Sequence, residues 1–175
     1  MKTFNGITSC YLGVTTTGIT QTNALIACSA QGATLASIHS AEENAFIYSE
    51  FNDENKLVKL AQIIPGLFSS IPQDPTTNDS RQTWIGLVVQ SYDAMTTTLR
   101  WYDGTPVDYP KANPFTYAVL GGNPYPFVGA EPYSPYATPC FSMFTNTPIV
   151  AGQGGYNDID CSFLNENYVC KKAPS

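Results

Sequence analysis

The sequence predicts an α+β fold of two helices and several short strands, with a long irregular loop. Three observations carry that expectation. Helix-capping signals occur twice in the first third of the chain. Short runs of branched and aromatic residues, the mark of strands, occur in the rest. Those runs are interrupted by a stretch so dense in proline and tyrosine that it can be neither helix nor central strand. The 175 residues fit one domain, taken as 1–175, and suffice to bury a core without help from metals. A hydrophobic content of 43% excludes disorder.

The first helix is expected over residues 22–31 (TNALIACSAQ), capped by Thr20 or Thr22 and stopped by Gly32 in the left-handed conformation. Leu25, Ile26 and Cys28 are its inward-facing candidates. Leu35-Ala36-Ser37-Ile38 reads as a short strand. Ser40-Ala41-Glu42-Glu43 is a capping box, in which the Ser40 hydroxyl and the Glu43 carboxylate satisfy each other's orphan amides. It opens a second helix, with Ala45, Phe46 and Phe51 expected to be buried. Residues of about 53–82 read as an insertion, because Ile63-Ile64-Pro65-Gly66 breaks any helix and the segment after it is turn-rich.

Trp84 to Val89 and Leu99 to Tyr102 follow as strands, the second ending at the turn Asp103-Gly104. The stretch 104–139 then holds eight of the thirteen prolines and Tyr109, Tyr117, Tyr125, Tyr133 and Tyr136. A loop of that length inside a domain is usually functional, and its aromatic content argues against disorder. Cys140 to Phe144 resumes a strand, Gly152 to Gly155 is a turn, Tyr156 to Cys161 is short and polar, and Tyr168-Val169-Cys170 closes the chain's last strand.

Five cysteines are present: Cys10, Cys28, Cys140, Cys161 and Cys170. None forms a Cys-x-x-Cys pair and His39 is the single histidine, so a structural zinc site is disfavoured. Two disulfides with one cysteine left over imply an oxidising compartment, hence a secreted or extracellular protein. The start, Met1 to Gly6, has no apolar core of a leader. The expectation is a chain that begins after such a leader.

Taken together, several segments resemble the C-type lectin-like domain family. They are Cys28…Gly32-Ala33-Thr34-Leu35-Ala36-Ser37-Ile38, then Ser40-Ala41-Glu42-Glu43-Asn44, Trp84-Ile85-Gly86-Leu87 and Trp101-Tyr102-Asp103-Gly104-Thr105-Pro106. Tyr156-Asn157-Asp158…Cys161 and Tyr168-Val169-Cys170-Lys171 complete the series. Each is weak alone; the order and spacing are what make the resemblance specific. It runs from about Cys10 to Lys172 and leaves out the 53–82 insertion.

The resemblance implies a C-type lectin-like fold, with two helices flanking antiparallel β-sheets, stapled by the disulfide pairs Cys28–Cys170 and Cys140–Cys161. Cys10 is then unpaired, matching the second cysteine of an N-terminal hairpin bridge whose first member is absent here. A free thiol or an intermolecular bridge is the rival account. The resemblance also implies recognition of a glycan through the long-loop face, without catalysis. In calcium-dependent members a sugar completes the shell of a Ca²⁺ ion that takes about six to eight oxygens. Glu131-Pro132-Tyr133 lies where such members carry Glu-Pro-Asn or Gln-Pro-Asp, so Glu131 matches and Tyr133 does not. Asn157 and Asp158 match the Trp-Asn-Asp motif with Tyr156 in place of Trp, and the position of a further Glu maps near the uncharged Thr138. Glu131, Asn157 and Asp158 are therefore the candidate metal ligands, fewer than the family uses. Ca²⁺ is the one cofactor brought into question, and the ligand count argues for a weakened site or none.

Tyr133 and Tyr136 join Glu131, Asn157 and Asp158 as candidate ligand-binding residues, since tyrosine offers a rigid face and a hydroxyl at low entropic cost. The expected partner is a glycan or glycoprotein. The alternative is a calcium-independent domain of the same fold that binds a protein through the tyrosine-rich loop. Self-association is left open. Eight Lys plus Arg against fourteen Asp plus Glu, a net charge of -6, disfavour nucleic acid and anionic membranes. No apolar run approaches the roughly 18 residues of a membrane span. No nucleophile elbow is visible, Glu42 and Glu43 are accounted for by the helix dipole, and no polar pocket is expected around His39.

Overall fold

In a computed structural model of the chain, the structure describes residues 1–51, 82–92, 97–109, 139–145 and 154–174. The chain opens with a hairpin of β1 (Lys2–Phe4) and β2 (Ile7–Ile19). Phe4 pairs with Ile7, so Asn5-Gly6 alone makes the turn, both with positive φ (49° and 79°). Asn-Gly is the dipeptide such a two-residue turn favours. The sequence reading had no strand here.

Helix α1 (Gln21–Ser29) is capped by Thr20, whose side chain accepts from the Asn23 amide, and Gly32 adopts the left-handed conformation (φ 65°). Its buried residues are Gln21, Ala24 and Cys28, spaced as one helix face. Ile26, expected inward, is 61% exposed because it falls off that face. Strand β3 (Thr34–Leu35) is shorter than expected, although Ala36 and Ile38 beyond it are also fully buried. Helix α2 (Ala41–Phe51) begins after Ser40, whose hydroxyl accepts from the Glu43 amide. The second arm of the box differs from expectation: Glu43 reaches the amide of His39, not that of Ser40. On α2 the buried residues are Glu43, Asn44 and Ile47, whereas Ala45 is exposed and Phe46 half-buried. The Phe51 side chain and the 53–81 part of the proposed insertion lie outside the described residues.

The remaining strands are β4 (Gln82–Tyr92), β5 (Thr97–Trp101), β6 (Cys140–Phe144), β7 (Tyr156–Ile159) and β8 (Asn165–Lys172). Among the described residues they form one sheet in the order β1-β2-β8-β4-β6-β7, with β3 beside β8 and β5 beside β4. The expectation of antiparallel sheets needs one correction. β4 and β8 run parallel, with Thr83 opposite Asn167 and Trp84 opposite Tyr168, which makes the sheet mixed.

Strand β4 is buried from Gln82 to Val88, as befits a central strand covered on both faces. Its side chains alternate between two cores. Trp84 and Val88 pack with Ala24, Cys28 and Tyr168. Ile85 and Leu87 pack with Ile47, Trp101 and Phe141. Helix α1 therefore covers one face and α2 the other. The bridges Cys28–Cys170 and Cys140–Cys161 form as the resemblance implied. Cys10 carries none and is half-buried on β2 opposite Lys172.

Gly86 sits where the Leu35–Ala36 backbone crosses β4. A Cβ there would lie 2.6 Å from the Leu35 carbonyl oxygen and 3.1 Å from that of Ala36. The Gly86 amide donates to Ala36 O at 2.9 Å, so neither backbone can retreat without losing a bond. Gly86→Ala is expected to destabilise the domain by about 1–3 kcal/mol, the cost of overpacking a close contact. Urea unfolding measures it, and an unchanged midpoint would refute the close approach.

Candidate functional site

Of the five predicted binding residues, Glu131, Tyr133 and Tyr136 lie outside the described residues. Asn157 and Asp158 are adjacent on β7, at the sheet edge opposite the N-terminal hairpin. Both are buried, at 0% and 2% exposure. Strand β7 pairs with β6, which places Asn157 opposite Ser142 and Asp158 opposite Phe141. The Asn157 Nδ2 donates to Gln82 Oε1 at 3.1 Å. The Ser142 hydroxyl donates to the same oxygen. Asn157 is thus braced by side chains across β4, β6 and β7. The Cys140–Cys161 bridge ties the end of the long loop to the residues just after β7.

These two residues suit a hard cation in kind. Asn157 carries an amide oxygen and Asp158 a carboxylate. They fall short in number, since Ca²⁺ takes about six to eight oxygens. Among the described residues, no group of three or more His, Cys, Asp or Glu side chains could hold a metal.

A second polar cluster, which the sequence reading did not expect, surrounds His39. Glu43 is its hub. Its Oε2 accepts from the His39 amide at 2.9 Å, and its Oε1 accepts from Lys171 Nζ at 2.6 Å and from the Tyr11 hydroxyl at 2.5 Å. Burial first, then the hydrogen bond to Glu43 and its charge, push the Tyr11 phenol far above its ordinary range. Lys171 also donates to the Ser37 carbonyl at 3.0 Å. Ser37 Oγ donates to Asp103 Oδ2 at 2.5 Å, and Thr105 donates to Asp103 Oδ1 through its amide and its hydroxyl. Burial raises the Asp103 carboxyl, but these bonds and the Lys171 charge outweigh it and hold it below its ordinary value. The cluster borders a groove of about 160 Å³ that Phe4, Pro106 and Asp108 also line. Glu43 is therefore buried and paired, more than a helix dipole requires.

Sequence reasoning missed a further buried polar residue, Gln21. Its Nε2 donates to the carbonyls of Ile85 (3.0 Å) and Leu87 (3.3 Å), and its Oε1 accepts from Tyr102. It anchors α1 to the central strand. Its place at the first turn of a helix facing a predicted strand was the available signal.

The family model for the lectin C-type domain matches residues 17–172. The chain belongs to the C-type lectin domain family. No curated protein sequence matches it. Solved structures of similar fold include the cow C-type carbohydrate-recognition domain of CD23 in the presence of a GlcNAc2Man3 oligosaccharide. It is 21% identical, with 95% of this chain and 89% of that one covered and a TM-score of 0.58. Herring type II antifreeze protein is 24% identical, with 99% and 96% covered and a TM-score of 0.58. The C-type lectin domain of murine dendritic cell inhibitory receptor 2, in complex with an N-glycan, is 23% identical, with 95% and 91% covered and a TM-score of 0.57. At these identities the likeness is one of fold. Among the described residues, no helix of this lectin domain is long and apolar enough to cross a membrane.

Proposed function

We propose that this domain is a secreted, non-catalytic binder of a glycan or glycoprotein, acting through the face built from the long loop and β7. Its contact residues are Glu131, Tyr133, Tyr136, Asn157 and Asp158. The observation that carries the reading is the pairing of Asn157 and Asp158 on β7. Asn157 is held by the Gln82–Ser142 network, and the two residues stand close before the bridge at the loop's end. A pair of hard oxygen donors at a rigid strand, at the point where a tyrosine-rich loop returns, suits polyhydroxylated ligands. Two structures of this fold, cow CD23 and murine dendritic cell inhibitory receptor 2, were solved with oligosaccharides. Ca²⁺ bound here would be held by Glu131, Asn157 and Asp158 and would supply a positive centre for vicinal hydroxyls.

A second reading is a calcium-independent domain that binds a protein through Tyr133 and Tyr136. It is favoured by the count of oxygen donors at β7, and a calcium-independent type II antifreeze protein shares the fold. Catalysis at His39 is disfavoured by hydrogen bonding. Asp108, His39 and Thr105 line up as acid, imidazole and hydroxyl, but the Thr105 proton is committed to Asp103. Calorimetric titration of Ca²⁺ into EDTA-stripped protein separates the two binding modes. Heat that disappears in Asp158→Asn supports the metal-assisted glycan site, and no heat for the wild type excludes it.

A further inference from the structure

We propose that His39, as a doubly protonated imidazolium, is a pH-sensitive latch that fastens the start of the long loop to the junction of β3 and α2. Its two ring nitrogens face different partners on the loop segment. Nδ1 lies 2.6 Å from Asp108 Oδ1, and Nε2 lies 3.1 Å from Thr105 Oγ1. A carboxylate only accepts, so Nδ1 carries a proton. Thr105 has one hydroxyl proton, and Asp103 Oδ1 is 2.5 Å away. Asp103 is held ionised by its hydrogen bonds from Ser37 and Thr105 and by Lys171, so it takes that proton. The Thr105 oxygen therefore offers His39 a lone pair, and Nε2 donates as well. Only the imidazolium donates from both nitrogens.

The charged groups around the ring agree with this assignment. Asp103 and Asp108 approach from the segment after β5, and Glu43 of α2 accepts the His39 amide. Lys171 of β8 is the one cation in the cluster, and Glu43 takes it up at 2.6 Å. Tyr11 of β2 donates its hydroxyl to Glu43 as well. The Trp101 ring of β5 stands edge-on with centroids 6.1 Å apart, and Asn5 of the first turn reaches the His39 carbonyl. The His39 side chain is 16% exposed and Asp108 57%, so the latch borders solvent and can exchange its proton.

The sign follows from the donor count. A neutral ring can donate to one of the two partners only. The latch is closed while the imidazolium persists, and it opens as pH rises through the His39 titration.

Because His39 is the chain's single histidine, its nitrogen resonances are unambiguous. The test is a long-range ¹H–¹⁵N correlation titration of the native protein over about pH 5 to 9, the span in which histidine changes charge. Amide-exchange protection at Thr105 and Asp108 is followed alongside. The expected result is an imidazolium pattern on the acid side, with protection falling about tenfold as it is lost, the effect of one charge-assisted hydrogen bond. In His39→Gln, protection should stay low at every pH. Asp108→Asn, a change at an exposed side chain that leaves the core intact, should move the His39 titration to lower pH. A single-proton tautomer throughout the range would overturn the latch. So would protection indifferent to the titration, or an unmoved titration in Asp108→Asn.

Discussion

Replacing Cys28 and Cys170 together with serine is expected to lower the unfolding free energy by about 5 kcal/mol, the loop-entropy value for a closed loop of this length. The bridge spans 142 residues and joins α1 to β8 through the core that also holds Trp84 and Tyr168. Replacing Cys140 and Cys161, which span only 21 residues, is expected to cost about 3 kcal/mol by the same relation. Chemical denaturation of the two double variants beside the wild type gives the comparison. Equal losses, or a larger loss for the shorter bridge, would contradict the entropic account of these staples.

Lys171→Met is expected to cost about 3–5 kcal/mol, the usual penalty for leaving one member of a buried ion pair behind. The Lys171 and Glu43 side chains are 11% and 2% exposed, and they meet at 2.6 Å. The ammonium also serves the Ser37 carbonyl and lies 5.7 Å from the centre of the Tyr11 ring. With methionine in its place, the Glu43 carboxylate keeps the Tyr11 hydroxyl and the His39 amide but no counter-charge. Adding Glu43→Gln removes the stranded charge, so the double variant should be more stable than Lys171→Met alone. A double variant less stable than either single one would mean that hydrogen bonds, not charge, dominate the cluster.

This buried pair also shows where sequence reading stops. Strand β4 and the cap of α2 were legible because their signals are local: a branched and aromatic run, and a serine three residues before a glutamate. The fate of that glutamate was not. Its partners Tyr11 and Lys171 are 32 and 128 residues away, and only the sheet brings them together. Strand β2 escaped notice because its 13 residues include Gly13, Gly18 and a run of threonines, with no clear alternation. Asn5-Gly6 was the readable sign of its hairpin. On α1 a reading by hydrophobicity chose Ile26 along with Cys28, whereas helix geometry turned Gln21 and Ala24 inward beside Cys28. Asn157 and Asp158 became candidates through the resemblance of Tyr156-Asn157-Asp158…Cys161 to a family motif. The Gln82 and Ser142 partners of Asn157 come from distant strands and lie outside that motif.

The most direct test of glycan recognition at the long-loop face is a glycan array probed with the wild type and Asp158→Asn, with and without EDTA, after thermal melts show both proteins folded. The account predicts a defined set of glycans bound by the wild type and lost in Asp158→Asn. An array with no wild-type binding, or binding that survives Asp158→Asn unchanged, would contradict it.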